Sequence, residues 1–289
     1  MNAARSGCKK PYLATATSTI IAVFALLPGK LAQGQTAEVS YALAPRAQVE
    51  ERLRQVTMNN AKRQAILRQL FEQAGCTGDA LADQSFKKKR PANVICTLSG
   101  VTDSTIVVGA HFDHSTEYGE GAVDDWSGAS LLPSLFQSLQ ARPRRHTFVF
   151  VGFGSEEEGL KGSTFFVSQL SEEQLSKTKA MVNLECLGMG STKVWASHAD
   201  RTLLGKLPGV AKALNLSLAA VNVENVGRDD SDPFAKKRIP TLSVHSVTQE
   251  TLRILHSTSD NLRVIKFDDY YSSYHLIAAY LAYIDTILP

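Results

Sequence analysis

The sequence predicts an α/β fold in which one sheet is covered by helices on both faces. Short runs rich in β-branched residues alternate with stretches of helical periodicity along most of the 289 residues, the pattern of strands joined by packed helices. Several strand-like runs are continuously apolar, as expected when both faces of a sheet are buried. The chain beyond residue 34, about 255 residues, has the length of one large domain.

The predicted elements follow one another in a regular order. Apolar side chains recur at helical spacing over residues 46–75, with an interruption at residues 59–60 and an end at Gly75. Strands are then predicted at residues 93–98, 105–110, 147–153, 180–184, 193–196, 218–223 and 241–244. Helices are predicted at residues 127–141, 159–170, 200–214 and 268–287. Because no repeat or long linker interrupts this order, residues 35–289 are predicted to form a single domain.

Residues 1–34 have the features of a signal peptide. A basic start precedes an apolar stretch at residues 12–28 and small residues at 32–34, where a signal peptidase would cut. The apolar stretch contains serines and threonines and is shorter than a membrane span. The sequence therefore predicts a protein exported to the periplasm or secreted, with no stable membrane insertion once the signal is removed.

The positive charge of the chain is concentrated in that segment. It carries four basic residues and no acidic ones, so its removal changes the net charge from +3 to about −1. A basic surface is the main sign of nucleic-acid binding, and the one basic cluster left, residues 87–90, is typical of a solvated loop. The composition therefore argues against a nucleic-acid partner.

Three cysteines remain after residue 34. Export permits a disulfide between Cys76 and Cys96, which would close a loop of about 20 residues and stabilise the fold by about 3 kcal/mol. Cys186 lies in an apolar run and is predicted to be a buried, reduced thiol. Cysteine is not expected to bind metal, because the sequence has no Cys-x-x-Cys pair.

Histidine and acidic residues stand where strands are predicted to end. Three different strands are followed by His111, by the pair Glu156–Glu157 and by Glu185. Ligand sites in open α/β sheets form at the carboxyl ends of strands, so these side chains are expected at one edge of the sheet. Asp113, two residues from His111 on an extended chain, shares its face and can fix the tautomer of the imidazole.

Two further segments, Asp124–Asp125 and His256, complete this set. Taken singly, an Asp-Asp pair before a helix is usually a cap, an acidic pair is usually a solvated turn, and a lone histidine usually lies on the surface. Together they supply two imidazoles and at least four carboxylates. That mixture suits a hydrolytic zinc site with two metal ions and a catalytic base.

The same segments resemble the successive motifs of the M28 zinc peptidases, from about residue 50 to the C-terminus. The motifs are Gly109-Ala-His-Phe-Asp113, Gly121-Ala-Val-Asp-Asp-Trp-Ser-Gly128, Phe153-Gly-Ser-Glu-Glu-Glu-Gly-Leu-Lys-Gly-Ser163, Asn183-Leu-Glu185 and His256-Ser-Thr-Ser-Asp260. The resemblance implies a single α/β domain of the zinc aminopeptidase type, with a mixed, mostly parallel twisted sheet. It also implies that the Asp124–Asp125 peptide bond is cis.

Carried over by position, the resemblance assigns a role to each residue. It implies two zinc ions per chain, bridged by Asp124. The remaining ligands would be His111 and Glu185 for one ion, and Glu157 and His256 for the other. Glu156 and Asp113 would be the catalytic residues, Glu156 as the base and Asp113 as the residue that orients His111.

The chain departs from the family pattern at two places. Glu185 stands where aminopeptidases of the family more often have Asp, which bears on whether one or two metals bind. The usual Ser-Asp-His-x-Pro-Phe segment is represented by Ser231-Asp-Pro-Phe234, and His245 further along is either structural or in contact with substrate.

The resulting prediction is an exported zinc-dependent exopeptidase that uses a metal-activated water. It is in the first place an aminopeptidase acting on peptides with a free N-terminus, with a closely related dipeptidase or carboxypeptidase left open. Two alternatives remain open: an acyl transferase similar to glutaminyl-peptide cyclase, with one zinc, and a non-catalytic binding protein on the same fold. Binding proteins that resemble this family typically lack metal ligands, and none is missing here. A serine hydrolase is not supported, because no Gly-x-Ser-x-Gly elbow occurs.

Overall fold

The computed structural model describes residues 21–22, 39–86, 88, 90–115, 119–223 and 227–289. The predicted signal peptide at residues 1–34 lies outside these residues, apart from Ile21–Ala22. The basic cluster at residues 87–90 is described only in part. Helices and strands are labelled below in chain order.

Ten strands are present among the described residues. They are β1 Ile21–Ala22, β2 Val39–Ser40, β3 Leu81–Gln84, β4 Asn93–Leu98, β5 Thr105–His111, β6 Thr147–Phe153, β7 Thr178–Leu184, β8 Thr192–Val194, β9 Leu218–Ala220 and β10 Thr241–His245. The helices are α1 Arg46–Leu53, α2 Asn60–Gln73, α3 Ser127–Ala129, α4 Leu132–Leu139, α5 Lys161–Ser168, α6 Glu172–Lys177, α7 Arg201–Leu214, α8 Asp232–Lys236 and α9 Phe267–Ile287.

Eight of the strands form one mixed sheet in the order β3-β4-β6-β5-β7-β10-β8-β9. The four central strands, β6, β5, β7 and β10, are parallel to one another. β4 pairs antiparallel with β6, and β8 pairs antiparallel with β10. This confirms the predicted fold class. Because the central strands are parallel, their carboxyl ends lie at the same edge of the sheet.

Helices cover both faces of the sheet. The larger core lies under α2, α4, α7 and α9, and a second apolar cluster lies under α5 and α8 on the opposite face. Burial on both faces explains the continuous apolar runs of β5, β6 and β7. Strand β9 is shorter than the predicted run at residues 218–223, since it is largely exposed at the edge of the sheet and, among the described strands, pairs with β8 alone.

The longest helix, α9, is buried over most of its 21 residues. Two of its buried tyrosines place hydroxyl groups in the core next to backbone carbonyls: Tyr270 donates to the carbonyl of Ser127 at 2.8 Å, and Tyr280 donates to that of Leu203 at 2.9 Å. None of the helices in the described ranges is both long and apolar enough to cross a lipid bilayer.

Two predictions about covalent geometry are confirmed. Cys76 and Cys96 form a disulfide with their Cα atoms 6.3 Å apart, and Cys186 is a buried free thiol. The Asp124–Asp125 peptide bond is cis.

Candidate metal centre

His111 is the last residue of β5, and its side chain is only 1% exposed. Its Nδ1 lies 3.0 Å from the carbonyl oxygen of Asp113, so the Nδ1–H donates there and Nε2 is left free to bind a metal. That Nε2 lies 3.1 Å from Asp124 Oδ1 and 3.4 Å from Glu185 Oε1. The end of β5 therefore directs one imidazole nitrogen at two carboxylates.

Asp113 orients the imidazole mainly through its backbone. Its carboxylate oxygen Oδ1 is 3.7 Å from His111 Nδ1, beyond hydrogen-bond distance. The carboxylate instead accepts the backbone N–H groups of Glu156 at 3.0 Å and Glu157 at 3.4 Å. Asp113 thus links the segment after β5 to the segment after β6.

Asp124 lies at the centre of the site, in the turn Ala122–Trp126 that precedes α3. Its two carboxylate oxygens face different histidines: Oδ1 faces His111, and Oδ2 lies 3.1 Å from Nε2 of His256. The turn is held by the carboxylate of Asp260, which accepts the backbone N–H of Val123 at 2.7 Å and that of Asp124 at 3.2 Å. Asp124 is therefore placed to bridge two neighbouring ions.

A second group forms on the other side of Asp124. His256 Nε2 lies 3.0 Å from Glu157 Oε2 and 3.1 Å from Asp124 Oδ2. The His256 side chain is 59% exposed, whereas that of Glu157 is 12% exposed. This side of the site opens to solvent, while the side that holds His111 is buried.

The structure thus brings five of the predicted residues into two groups that share Asp124. One group is His111, Asp124 and Glu185, and the other is Asp124, Glu157 and His256; within each group the ligand atoms lie within 4.8 Å of one another. Three nitrogen and oxygen ligands with room for a fourth are typical of catalytic zinc. The donor set therefore fits a pair of zinc ions.

The charge of the cluster also suits cations. Burial, with the nearby carboxylates of Asp230 and Glu185, raises the pKa of Glu156 to about 10. Hydrogen bonds to Asp124 and Glu157 raise the pKa of His256 to about 10. Bound divalent cations supply positive charge to such a cluster and displace its protons.

Glu156 lies beside the ligand groups, whereas its neighbour Glu157 belongs to one of them. Its Oε2 lies 3.9 Å from His111 Nε2, farther than Asp124 or Glu185, and it belongs to neither ligand group. The Glu156 side chain is 14% exposed and lines the cavity beside the cluster. It is thus placed beside the ligands, in reach of a molecule in the cavity, as a proton acceptor should be.

The cavity beside the cluster has a volume of about 400 Å³. Its lining includes the carboxylates of Asp124, Glu156, Glu185 and Asp229 and the guanidinium group of Arg228. Its remaining walls include the apolar side chains of Val223, Val247, Leu252 and Leu255 and the aromatic ring of Trp195. The cavity thus places charged groups beside apolar walls, as is typical of sites that bind small molecules.

His245 lines the cavity but is held by the backbone. Its Nε2–H donates to the carbonyl of Val221 at 3.1 Å, and its Nδ1 accepts the N–H of Val247 at 3.1 Å. Burial lowers the pKa of His245 to about 4. With both ring nitrogens satisfied and the neutral form favoured, His245 has a structural role.

Three acidic residues of the site were not singled out from the sequence. Asp260 positions Asp124, and its place within the His256 motif was the available signal. Asp229 and Asp230 are buried near Glu156 and Glu185. Among the described residues, both oxygens of Asp230 and the Oδ2 of Asp229 lack a hydrogen-bond partner. An Asp-Asp pair in a loop carries no signal of such burial.

Comparisons with known proteins place the chain in a family. A family model described as peptidase family M28 matches residues 93–281. Aminopeptidase YwaD from Bacillus subtilis is 27% identical over 168 residues, which are 55% of this chain and 36% of that protein. This chain therefore matches only about a third of that relative's length.

Two solved structures share the fold at low sequence identity. A zinc aminopeptidase from Bacillus subtilis superposes with a TM-score of 0.60 at 22% identity, over 66% of this chain and 49% of that one. A glutaminyl cyclase from an Acidobacteriales bacterium superposes with a TM-score of 0.72 at 20% identity, over 90% of this chain and 99% of that one. With its family model matched over residues 93–281, the chain belongs to peptidase family M28.

Proposed function

We propose that the protein is a zinc-dependent aminopeptidase that removes residues from peptides with a free N-terminus, using two zinc ions per chain. The observation that carries this proposal is the pair of ligand groups that share Asp124, with Glu156 beside them and outside both. His111 and Glu185 would complete the first ion's ligands, and Glu157 and His256 the second's. Zinc at these positions would polarise a water molecule and the substrate carbonyl.

The chain's own residues would handle the proton and the substrate. Glu156 would accept the proton of the attacking water on its carboxylate and return it to the departing amine. Asp113 holds the backbone of Glu156 through the N–H contact at 3.0 Å, so the position of the base is coupled to the end of β5. Asp229 lines the cavity and belongs to neither ligand group, and its carboxylate would attract the α-ammonium group of the substrate.

Export is part of the proposal. The signal-like segment at residues 1–34 predicts it, and the Cys76–Cys96 disulfide supports it, because disulfides persist in oxidising compartments. We propose a periplasmic or secreted protein. Mass spectrometry of the protein recovered from the periplasm or medium tests this, because the N-terminus of the expected product lies within a few residues of position 35. Recovery of the protein only in the cytosol with an intact N-terminus would contradict export.

The aminopeptidase proposal is tested with purified protein and a set of matched peptides. Peptides with a free N-terminus should lose their first residue, and the same peptides with an acetylated N-terminus should not be cleaved. Blocking the C-terminus by amidation should leave cleavage unchanged. Cleavage that depends instead on a free C-terminus would point to a carboxypeptidase and contradict the proposal.

A second candidate is an acyl transferase similar to glutaminyl cyclase, with one zinc. It is favoured by the superposition that spans 90% of this chain and 99% of the cyclase structure. In that case a peptide beginning with glutamine would lose ammonia and keep its length, whereas an aminopeptidase would release free glutamine. Mass spectrometry of one glutaminyl peptide therefore separates the two candidates.

A further inference from the structure

Arg63 in α2 is fully buried beside the metal centre, yet it forms no ion pair with a carboxylate of the described residues. Its Nε donates to the carbonyl of Thr57 at 2.6 Å and its Nη1 to the carbonyl of Phe112 at 2.9 Å. Its Nη2 donates to the carbonyls of Glu120 and, at 3.0 Å, Gly121. The guanidinium group also lies over the ring of Trp126, 5.6 Å from its centroid.

Three of the four carbonyls that Arg63 contacts belong to the two segments that carry the proposed metal ligands. Phe112 directly follows His111, and Gly121 lies three residues before Asp124. A planar guanidinium with several fixed donors holds two such segments at a set separation, which a flexible point charge cannot do. Arg63 thus connects the end of β5 to the turn that carries Asp124.

The turn is fixed from its other side by Asp260. The side-chain carboxylate of Asp260 accepts the N–H groups of Val123 and Asp124. The backbone carbonyl of Asp260 accepts the N–H of Glu120 at 2.7 Å. Arg63 binds carbonyl oxygens of this segment, and Asp260 binds its N–H groups. Both sides of the backbone are therefore held by protein groups.

Close packing at Gly121 leaves little room for the Arg63 side chain or the turn to move. Gly121 has a φ of +56°, and a Cβ atom there would lie 2.4 Å from the Cβ of His114 and 2.9 Å from Nη2 of Arg63. Because glycine has no side chain, the backbone at Gly121 can lie this close to the guanidinium group of Arg63. Movement of Arg63 would therefore be transmitted to the turn.

We propose that Arg63 is a positioning residue that sets the separation of His111 and Asp124 before zinc binds, and that zinc affinity depends on it. This inference rests on the proposed zinc centre. It does not depend on whether the bound zinc serves an aminopeptidase or a cyclase reaction. Replacing a group that orients metal ligands typically lowers metal affinity by about one to two orders of magnitude.

Geometry and charge predict opposite effects at this position. Four buried carboxylates, those of Asp113, Asp260, Asp124 and Asp125, act electrostatically on Arg63. Its positive charge repels a zinc ion, so on charge alone its removal would strengthen zinc binding. If Arg63 acts by positioning, its removal weakens binding. Arg63→Lys keeps the charge and loses the fork of donors, whereas Arg63→Met loses both.

The test measures zinc affinity by competition with a chromophoric chelator, for wild type, Arg63→Lys and Arg63→Met. Arg52→Lys is the matched control, because Arg52 is also buried, at 2% exposure, but bonds Ser134 Oγ at 2.7 Å and Gln137 Oε1 at 2.9 Å on α4. Both Arg63 variants should bind zinc at least about 10-fold more weakly, and Arg52→Lys should bind like wild type. Equal affinity in all four proteins, or tighter binding by Arg63→Met, would overturn the proposal.

A measurement on the wild-type chain covers the case in which the Arg63 variants do not fold. Hydrogen exchange of the turn Ala122–Trp126 is compared between zinc-loaded and chelator-treated protein. If Arg63 and Asp260 preset the turn, the N–H groups of Val123 and Asp124 stay protected without zinc. Free exchange of this turn after zinc removal, with the rest of the sheet still protected, would overturn the proposal. Failure of peptide cleavage alone would contradict only the proposed function.

Discussion

The consecutive residues Glu156, Glu157 and Glu158 provide a direct test of the site assignment. Each is replaced singly by Gln, which keeps the shape of the side chain and removes its charge. Glu156 Oε2 lies 3.9 Å from His111 Nε2 and belongs to neither ligand group. Glu157 Oε2 lies 3.0 Å from His256 Nε2 and belongs to the second group. Glu158 is 43% exposed and pairs with Lys161 at 2.8 Å and also with Arg90.

The three variants should fall into three classes. Glu156→Gln should keep its zinc, and kcat should fall by about 10²- to 10⁴-fold, equivalent to about 3–5 kcal/mol of lost transition-state stabilisation. Glu157→Gln removes one of three ligands from its group, so it should lose zinc affinity as well as activity. Glu158→Gln breaks two surface ion pairs, to Lys161 and to Arg90, each worth no more than about 1 kcal/mol. It should match wild type in both zinc content and kcat.

The assay combines metal analysis after dialysis with steady-state kinetics on an aminoacyl substrate. The change at Glu156 should appear in kcat with KM little altered, because the proton is transferred in the transition state. Wild-type turnover in Glu156→Gln would refute its assignment as the base. Loss of zinc from Glu156→Gln to the same extent as from Glu157→Gln would refute the separation of base and ligand.

Two further predictions concern stability. The Cys76→Ser/Cys96→Ser double variant should be less stable than wild type by about 3 kcal/mol, because the disulfide closes a loop of 20 residues. Thiol titration of the denatured, unreduced protein that starts after residue 34 should find one thiol, that of Cys186. A count of three thiols would contradict the pairing. His245 has a folded pKa of about 4, below the value of about 6.5 for an exposed histidine. As the pH falls from 6.5 towards 4, the unfolded chain therefore binds the proton first and stability is lost, by at most about 3 kcal/mol. The free energy of unfolding, measured with urea on zinc-free protein, should fall less between pH 7.5 and pH 5 in His245→Gln than in wild type. An equal fall in both proteins would contradict the assignment.

Much of the fold could be predicted, because strands that are buried on both faces of the sheet appear in the sequence as continuous apolar runs. The strands at residues 93–98 and 147–153 match β4 and β6 at both ends. Strand β3 was missed, since its four residues, Leu-Ala-Asp-Gln, are mostly exposed at the edge of the sheet. Helix α6 was also missed, although Ser171 and Gln174 form a capping box that marks its start.

The site was predictable to the extent that it lies at strand ends. Parallel strands deliver His111 and Glu185 to one edge of the sheet whatever the details of packing. The contacts of Arg63 could not be predicted, because three of its four partners are backbone carbonyls 49 to 58 residues away, and a backbone carbonyl has no residue type to recognise. The same holds for His245, whose two ring nitrogens are satisfied by backbone groups.

The most direct test of the account is a zinc titration of metal-free protein, followed at each step by metal content and by the products of a glutaminyl peptide and a leucyl peptide. We predict two zinc ions per chain at saturation, and release of the first residue from both peptides. Saturation at one zinc per chain, with the glutaminyl peptide cyclised at unchanged length and the leucyl peptide intact, would contradict it.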